Sequence, residues 1–298
     1  MTGAAGPRMT GRDVALALLV VVIWGLAFVA TRLGLDAFSP PQLAALRFLI
    51  AAVPALVLPR PALAWPALAA IGLTLFAGQF LLQFFGIALG MPPGLASVMV
   101  QTQALFTILL AALLLGERPT ARQLAGAALA FAGLVVIAST VGSDLTVVGF
   151  ALTLGSPISF AIGNILLKRV GAAVETLPLV VWLSLVPPLP ALALSLLLDG
   201  PAALAHALPR AAWLALGSAL YLGLVATVLA YAIWGTLLRR YPAATVTPFA
   251  LLAPFVAAYA SSLVFGERFG PVRLAGMACV LAGLAVIVLR RDTLAVQR

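Results

Sequence analysis

Residues 113–137 read LLLGERPTARQLAGAALAFAGLVVI, and residues 263–287 read LVFGERFGPVRLAGMACVLAGLAVI. The two stretches align without a gap at an offset of 150, and 13 of 25 positions are identical, including the Gly-Glu-Arg corner. Each stretch is an apolar run, a charged corner and a second apolar run, which predicts a helical hairpin that turns at the corner. Such internal repetition indicates two tandem halves of one membrane protein and is typical of transporters.

The composition of the 298-residue chain is that of a membrane protein. Hydrophobic residues make up 64% of the chain and charged residues 8%, too few to cover a soluble globule of this size. Because lipid offers no hydrogen bonds, spanning segments must be helices or a closed barrel, and apolar runs of about 20 residues favour helices. The single cysteine, Cys279, lies in an apolar run, so we expect no disulfide and no cysteine-based metal site.

Ten membrane-spanning helices are predicted, in two sets of five. They cover residues 14–35, 42–58, 65–89, 95–115, 122–139, 146–169, 176–198, 210–238, 243–265 and 271–289. Several contain prolines that can kink or hinge them: Pro54, Pro157, Pro187, Pro188, Pro190, Pro248 and Pro254. We therefore predict an all-α integral membrane protein with a first repeat over 1–141 and a second over 142–298, together forming one compact membrane domain.

An odd number of helices in each repeat inverts the second repeat relative to the first. If helix 1 starts in the cytoplasm, helix 6 starts outside, and a shared cavity is expected near the bilayer midplane. The basic residues favour this topology with both termini cytoplasmic, because it puts twelve of them inside and five outside. The inner twelve are Arg8, Arg12, Arg60, Arg118, Arg122, Lys168, Arg169, Arg239, Arg240, Arg290, Arg291 and Arg298, and the outer five are Arg32, Arg47, Arg210, Arg268 and Arg273.

The net charge of +9 is accounted for by this topology, so we expect no nucleic-acid partner. All carboxylates are predicted at helix ends or in loops: Asp13, Asp36, Glu117, Asp144, Glu175, Asp199, Glu267 and Asp292. An embedded carboxylate is the usual site for a proton or cation, so this pattern argues against proton-coupled export of cationic drugs. His206 also lies in a loop, and no constellation for hydrolysis or metal binding is found. We predict that the protein is not an enzyme and has no cofactor.

Amide side chains do fall inside the predicted helices. Gln79 and Gln83 lie one turn apart on helix 3, Gln101 and Gln103 lie on helix 4, and Asn164 lies on helix 6. An unpaired amide in lipid costs several kcal/mol, so these side chains face other helices or a wet cavity. Hydrogen bonding between helices explains each amide alone, whereas the cluster on helices 3 and 4 favours a cavity.

Aromatic residues accompany the amides. A cavity of rings and amides without fixed charge suits a neutral or zwitterionic solute with an apolar side chain, although packing between helices explains each ring taken alone. Trp65 and Trp213, at helix starts, are predicted to anchor the chain at the lipid headgroups. The predicted substrate-binding residues are Trp24, Phe28, Gln79, Phe80, Gln83, Gln101, Gln103, Phe160, Asn164, Tyr231 and Trp234.

Three charged residues lie at the hairpin corners or within a predicted helix: Glu117, Glu267 and Arg47. Glu117 and Glu267 each adjoin an arginine, and a salt bridge within the corner is the favoured interpretation. Arg47 lies one turn into predicted helix 2, where it either snorkels to the outer surface or holds a substrate carboxylate.

Several of these features together resemble a known family. The doubled hairpin, the Trp24-Gly25 pair, the Leu46-Arg47-Phe48 stretch and the ten helices resemble the drug/metabolite transporter superfamily, in its EamA-type branch. Within that branch the chain is most similar to the YddG-type bacterial exporters of aromatic and other amino acids. The resemblance implies a ten-helix basket that alternates between two openings, with substrate held by helices 1, 3, 4, 6, 8 and 9. The essential glutamate of the small multidrug members has no counterpart within 14–35.

The resemblance implies a monomeric exporter or facilitator of small molecules in the bacterial inner membrane, surrounded by the lipid bilayer. Its expected substrates are aromatic and other neutral amino acids and related metabolites. Nucleotide sugars or amphipathic drugs are the alternative, and a membrane-embedded lipid enzyme is a remote one. With no embedded acid, we expect facilitated diffusion in preference to proton coupling.

Overall fold

A computed structural model describes residues 9–142, 144–171 and 174–289, and these form a bundle of helices without strands. The helices are α1 (Gly11–Gly34), α2 (Pro40–Leu56), α3 (Trp65–Ala88), α4 (Pro93–Leu115), α5 (Ala121–Ala138), α6 (Val147–Val170), α7 (Thr176–Leu198), α8 (Trp213–Arg240), α9 (Ala243–Phe265) and α10 (Pro271–Val288). The all-α prediction is confirmed for this part of the chain, and every predicted bound lies within about three residues of the observed one.

Nine of the helices in these ranges are long and apolar enough to cross a membrane, and α2 is shorter. At 1.5 Å per residue α2 extends for about 25 Å, against a hydrocarbon core of about 30 Å. The prediction of ten membrane-spanning helices therefore stays a prediction for α2. Its last turn, Val53–Leu56, is a 3-10 helix that contains Pro54, whose ring cannot continue the α-helical hydrogen-bond ladder.

Helix ends follow local sequence signals. Ser39 and Gln42 form a capping box at the start of α2, with Pro40 in the first turn. Gly116 and Gly266 end α4 and α9 with φ angles of 66° and 67°, a left-handed conformation that favours glycine. The Gly-Glu-Arg corners are thus helix stops, as their sequence predicts.

Other helices contain irregular segments. α3 and α8 become π-helical over Leu73–Gly78 and Tyr221–Leu229, and in α9 the first turn, Ala243–Val246, is followed by a 3-10 segment, Thr247–Leu252. α4 is interrupted at 101–102 and α7 at 184–187, just before Pro188. α6 continues as one helix through Pro157, so any effect of this proline is a bend within the helix and not a break.

The helix ends lie on two faces of the bundle. The terminal face holds the start of α1, and the linker face holds the connection between α5 and α6. Contacts between helices join ends of the same face: Asp13 pairs with Arg240 on the terminal face, and Ser39 donates to Asp199 on the linker face. This alternation means that each helix, including α2, runs from one face to the other.

The tightest helix contact joins α5 to α10. A Cβ added at Gly126 would lie 2.6 Å from the carbonyl oxygen of Gly283, and one added at Gly133 would lie 2.6 Å from that of Gly276. The start of α5 therefore meets the end of α10, and the two helices run antiparallel. Small residues allow this backbone approach, which is the usual basis of helix association in lipid.

We expect Gly133→Ala to destabilise the protein by about 1–3 kcal/mol, because the new methyl group would overpack this contact. Gly217 on α8 is the matched control, since a Cβ there has nothing within 4 Å. Gly217→Ala should be neutral or stabilising by up to about 1 kcal/mol, because alanine favours the helix. Thermal unfolding in detergent measures both changes, and equal effects would contradict the proposed role of the contact.

Candidate functional site

Three of the predicted aromatic residues form one cluster between α1 and α8. The Trp24 ring lies 5.4 Å from the Tyr231 ring and 5.0 Å from the Trp234 ring, measured between centroids, and both pairs are tilted. Trp24 Nε1 donates to the carbonyl oxygen of Ala226 at 3.2 Å, which fixes the indole against the π segment of α8. The cluster therefore joins the first half of the chain to the second.

The amides of α3 follow directly after its π segment. Gln79 and Gln83 are both buried, and Gln79 Oε1 accepts no hydrogen bond from the described residues. A π segment adds a residue to the turn and is frequently found at functional sites. An unpaired buried carbonyl oxygen costs about 1–3 kcal/mol, so a ligand or water is the expected partner of Gln79.

The amides of α4 and α6 divide between two roles. Gln101 Nε2 donates to the carbonyl oxygen of Ala250 at 2.6 Å, and Asn164 Nδ2 donates to Thr107 Oγ1 at 3.4 Å. The Gln101 and Asn164 amides thus form hydrogen bonds between helices, which is enough to explain their presence at membrane depth. Gln103 Oε1, in contrast, is buried and has no partner among the described residues.

The other predicted rings lie apart from the three-ring cluster. Phe28 packs against the hydrophobic core around α4, α5 and α10. Phe80 and Phe160 belong to the core around α2 and α3. Tyr231 also packs against this second core and so connects it to the three-ring cluster.

Arg47 is not among the eleven predicted binding residues, yet it is buried beside one of them, Phe80. Its side chain is 4% exposed, its guanidinium carbon lies 3.9 Å from the centre of the Phe80 ring, and its Nε donates to Thr227 Oγ1 at 3.2 Å. The side chain does not snorkel, because α2 starts at Pro40 and this places Arg47 two turns into the helix. The Ser39 capping signal indicates that earlier start.

The two Gly-Glu-Arg corners make different contacts, and neither glutamate pairs with its adjacent arginine. Glu117 forms an exposed salt bridge with Lys168 on the terminal face. Glu267 Oε2 accepts from the backbone N–H of Gly94 at 3.2 Å on the linker face, while its Oε1 is buried without a partner in the described residues. The predicted corner salt bridges are therefore wrong.

Beside Glu267, the Arg273 guanidinium binds Asp144. Nη1 and Nη2 of Arg273 donate to the two carboxylate oxygens at 2.5 and 3.0 Å, and Nη2 also donates to the carbonyl oxygen of Thr140 at 3.1 Å. These hydrogen bonds hold the pKa of Asp144 below its ordinary value. Arg273 is thereby committed to Asp144, so Glu267 keeps an incompletely satisfied carboxyl.

Burial raises the pKa of Glu267 from its ordinary 4.5 to about 7. Between these two values the folded chain binds more protons than the unfolded chain. The contribution of Glu267 to stability therefore falls as the pH rises through this range.

We expect the melting temperature of the wild type, relative to that of Glu267→Gln, to fall as the pH rises from about 5 to about 8, because the variant cannot titrate there. Thermal melts of the purified protein across this range measure the difference. Glu117→Gln, at the other corner, should retain the wild-type pH profile. A Glu267→Gln profile that parallels the wild type would contradict the assignment.

A surface cavity of about 580 Å³ lies on the linker face, between the end of α1 and the segment that joins α7 to α8. Asp36, His206 and Arg210 are among its lining residues, and none of the eleven predicted binding residues lines it. No group of three histidine, cysteine or acidic side chains that could hold a metal is found in the residues described.

Comparison with known proteins gives two matches to the EamA-like transporter family, over residues 12–139 and 147–289. A protein of Escherichia coli named "Probable amino-acid metabolite efflux pump" is 41% identical, over 94% of this chain and 96% of its own. The Salmonella typhimurium protein of the same name is 43% identical over the same shares. A "Probable terminal-alkyne amino-acid exporter" of Streptantibioticus cattleyicolor is 32% identical over 94% of each chain.

A solved crystal structure also aligns with 96% of this chain and 100% of its own, with a TM-score of 0.63. The sequences are 20% identical, so this similarity concerns the fold alone.

Proposed function

Since the chain belongs to the EamA-like transporter family, we propose that it exports amino acids across the bacterial inner membrane by alternating access. Aromatic and other neutral amino acids and related metabolites are the proposed substrates. The observation that carries this proposal is the cluster of Trp24, Tyr231 and Trp234, which joins the two halves of the chain. The names of the relatives from Escherichia coli and Salmonella typhimurium support the substrate class.

The proposed architecture is ten spanning helices in two inverted repeats, 1–141 and 142–298. The two separate family matches support this division. The antiparallel contact of α5 with α10 supports the inversion, because helices at the same place in each repeat must then run in opposite directions. α2 is counted as the tenth span, since its ends lie on opposite faces and short helices are accommodated by local thinning of the bilayer.

The terminal face is assigned to the cytoplasm, which puts both termini inside. The assignment rests on the excess of basic residues on that face. Part of that excess, Arg8, Arg290, Arg291 and Arg298, lies outside the described residues.

The proposed site lies between α1, α3, α4, α6, α8 and α9, near the middle of the bundle. The ring cluster would pack against an apolar side chain, and the free carbonyl oxygens of Gln79 and Gln103 would accept from polar groups of the substrate. Gln101 and Asn164 would act through the helix contacts that they make, together with Gln83 and the rings of Phe28, Phe80 and Phe160.

The present structure is assigned to a state open towards the terminal face. Every residue of Pro93–Val100, the linker-face half of α4, is buried. In Gln103–Leu115, the other half, only Leu105 and Ala111 are buried. The exposed leucines of this half, such as Leu113, can face lipid, whereas the partial exposure of the polar residues Gln103 and Thr107 favours a water-filled opening on that side.

We expect reconstituted protein to take up radiolabelled tryptophan and threonine without an imposed pH gradient, and Trp24→Ala to weaken tryptophan uptake about tenfold. The variant loses a ring proposed to pack against the substrate, worth about 0.5–1.5 kcal/mol, and also the contacts that hold the Tyr231 and Trp234 rings in place. Trp65→Ala is the matched control, because Trp65 is 56% exposed at a helix start.

The same liposomes test the alternatives with a UDP-sugar and an amphipathic cation. Uptake of either solute without amino-acid uptake would overturn the proposed substrate. Uptake that requires a proton gradient would overturn facilitated diffusion, and equal losses in the two tryptophan variants would overturn the proposed site.

We expect a membrane-impermeant maleimide added to intact cells to label Ala202→Cys and leave Ala244→Cys unlabelled, both in a Cys279→Ser background. Ala202 is exposed on the linker face and Ala244 on the terminal face. Permeabilised cells should show both labelled. The reverse pattern in intact cells would place the termini outside.

A further inference from the structure

Arg47 lies deep in the bundle. It is seven residues from the start of α2 at Pro40, about 10 Å along the helix axis. Phe80 and Thr227, its partners on α3 and α8, lie about 12 and 21 Å from the linker-face ends of their helices. The guanidinium therefore sits at a depth where lipid cannot solvate it.

No carboxylate of the described chain compensates this charge. Each of the seven described acids contacts another group: Asp13, Asp36, Glu117, Asp144 and Glu175 bind other basic residues, Asp199 binds Ser39 and Ser195, and Glu267 binds Gly94. Asp292, the eighth acid, lies outside the described residues. A buried cation without an anion is strongly destabilising. Packing alone therefore does not explain an arginine at this position.

The guanidinium is held on one edge and one face. Nε donates to Thr227 Oγ1, which in turn donates to the carbonyl oxygen of Leu222 in the π segment of α8. The face stacks on Phe80, and Tyr231 lies one turn beyond Thr227 on α8, on the side of the helix that Arg47 contacts. Nη1 and Nη2 have no hydrogen-bond partner in the described residues, so the bidentate edge of the guanidinium is left for another group.

The fold itself does not require a cation at this place. The Pro-Ala-Leu sequences at 54–56 and 190–192 relate α2 to α7 at an offset of 136, and this offset matches Arg47 to Leu183. Leu183 is fully buried in the corresponding helix of the second half. A leucine thus serves the packing where no charge is needed.

We propose that Arg47 binds the carboxylate of the transported solute, with the solute's side chain directed along Tyr231 towards Trp24. Arginine is suited to this role because its planar fork donates two parallel hydrogen bonds to a carboxylate. The inference rests on the proposed function and adds to it the chemical group by which the substrate is held.

Ligand-induced thermal stabilisation of the purified protein tests this without a transport assay. Tryptophan is compared with tryptophanamide, which lacks the carboxylate charge, and with indole-3-propionate, which lacks the ammonium group. The wild type should bind tryptophan about ten- to hundredfold more tightly than the amide, the range expected for a charge-assisted hydrogen bond. A wild type that binds both equally would overturn the proposal.

Arg47→Gln should reduce this preference to about twofold or less, and Arg60→Gln should leave it unchanged. Arg60 is a matched control because its guanidinium carbon also stacks 3.9 Å from a ring centre, that of Trp65, near the protein surface. If Arg47→Gln does not fold, Arg47→Lys keeps the charge and loses the fork, and should retain the preference with weaker binding. A preference unchanged in Arg47→Gln, or lost in Arg47→Lys, contradicts the assignment.

The measurement with indole-3-propionate distinguishes a failure of this inference from a failure of the proposed function. If that acid stabilises the wild type and not Arg47→Gln while no amino acid is transported, the carboxylate site stands and the amino-acid assignment fails. If amino acids are transported while stabilisation by the acid does not depend on Arg47, the transport function stands and the role of Arg47 fails.

Discussion

Lipid supplies neither hydrogen bonds nor solvation of charge, and every polar group at depth in this bundle is arranged around that constraint. Gln101 and Asn164 satisfy it with partners on neighbouring helices. Gln79, Gln103 and Arg47 satisfy it incompletely within the described chain. Groups of the first kind hold helices together, and groups of the second kind are those that we propose to bind the polar part of a solute.

The two halves contain a π segment at equivalent positions, but the polar side chains that accompany it differ. The π segments of α3 and α8 start at Leu73 and Tyr221, an offset of 148. At that offset Gln79 corresponds to Thr227 and Gln83 to Tyr231. Because α3 and α8 share this backbone geometry, different side chains at equivalent positions can give one asymmetric cavity without altering the helix packing. Arg47 between α3 and α8 makes that asymmetry a difference in charge.

Hydropathy and helix signals predicted the helices well because each span must be apolar, and because glycine and proline mark its ends. The same signals did not predict the π segments, since a π turn changes the hydrogen-bond register and leaves the apolar pattern of residues such as Leu73 and Leu222 intact. The ring cluster and the amides could be named as candidates from their depth alone. Which of them meet, as Trp24 and Trp234 do, depends on tertiary packing that no local pattern records.

The duplicated corners show how tertiary structure separates equal sequences. Glu117 and Glu267 follow the same left-handed glycine, yet one forms an exposed ion pair and the other is drawn against the start of α4 at Gly94. Local sequence is nearly identical at the two sites, so the difference arises from the closer packing of α4 with α9 and α10 at the linker face. If the bundle is closed at the linker face and open at the terminal face, as proposed, its two similar halves can also pack in the opposite way. The exchange of these two packings between the faces is the motion that the proposed alternating access requires.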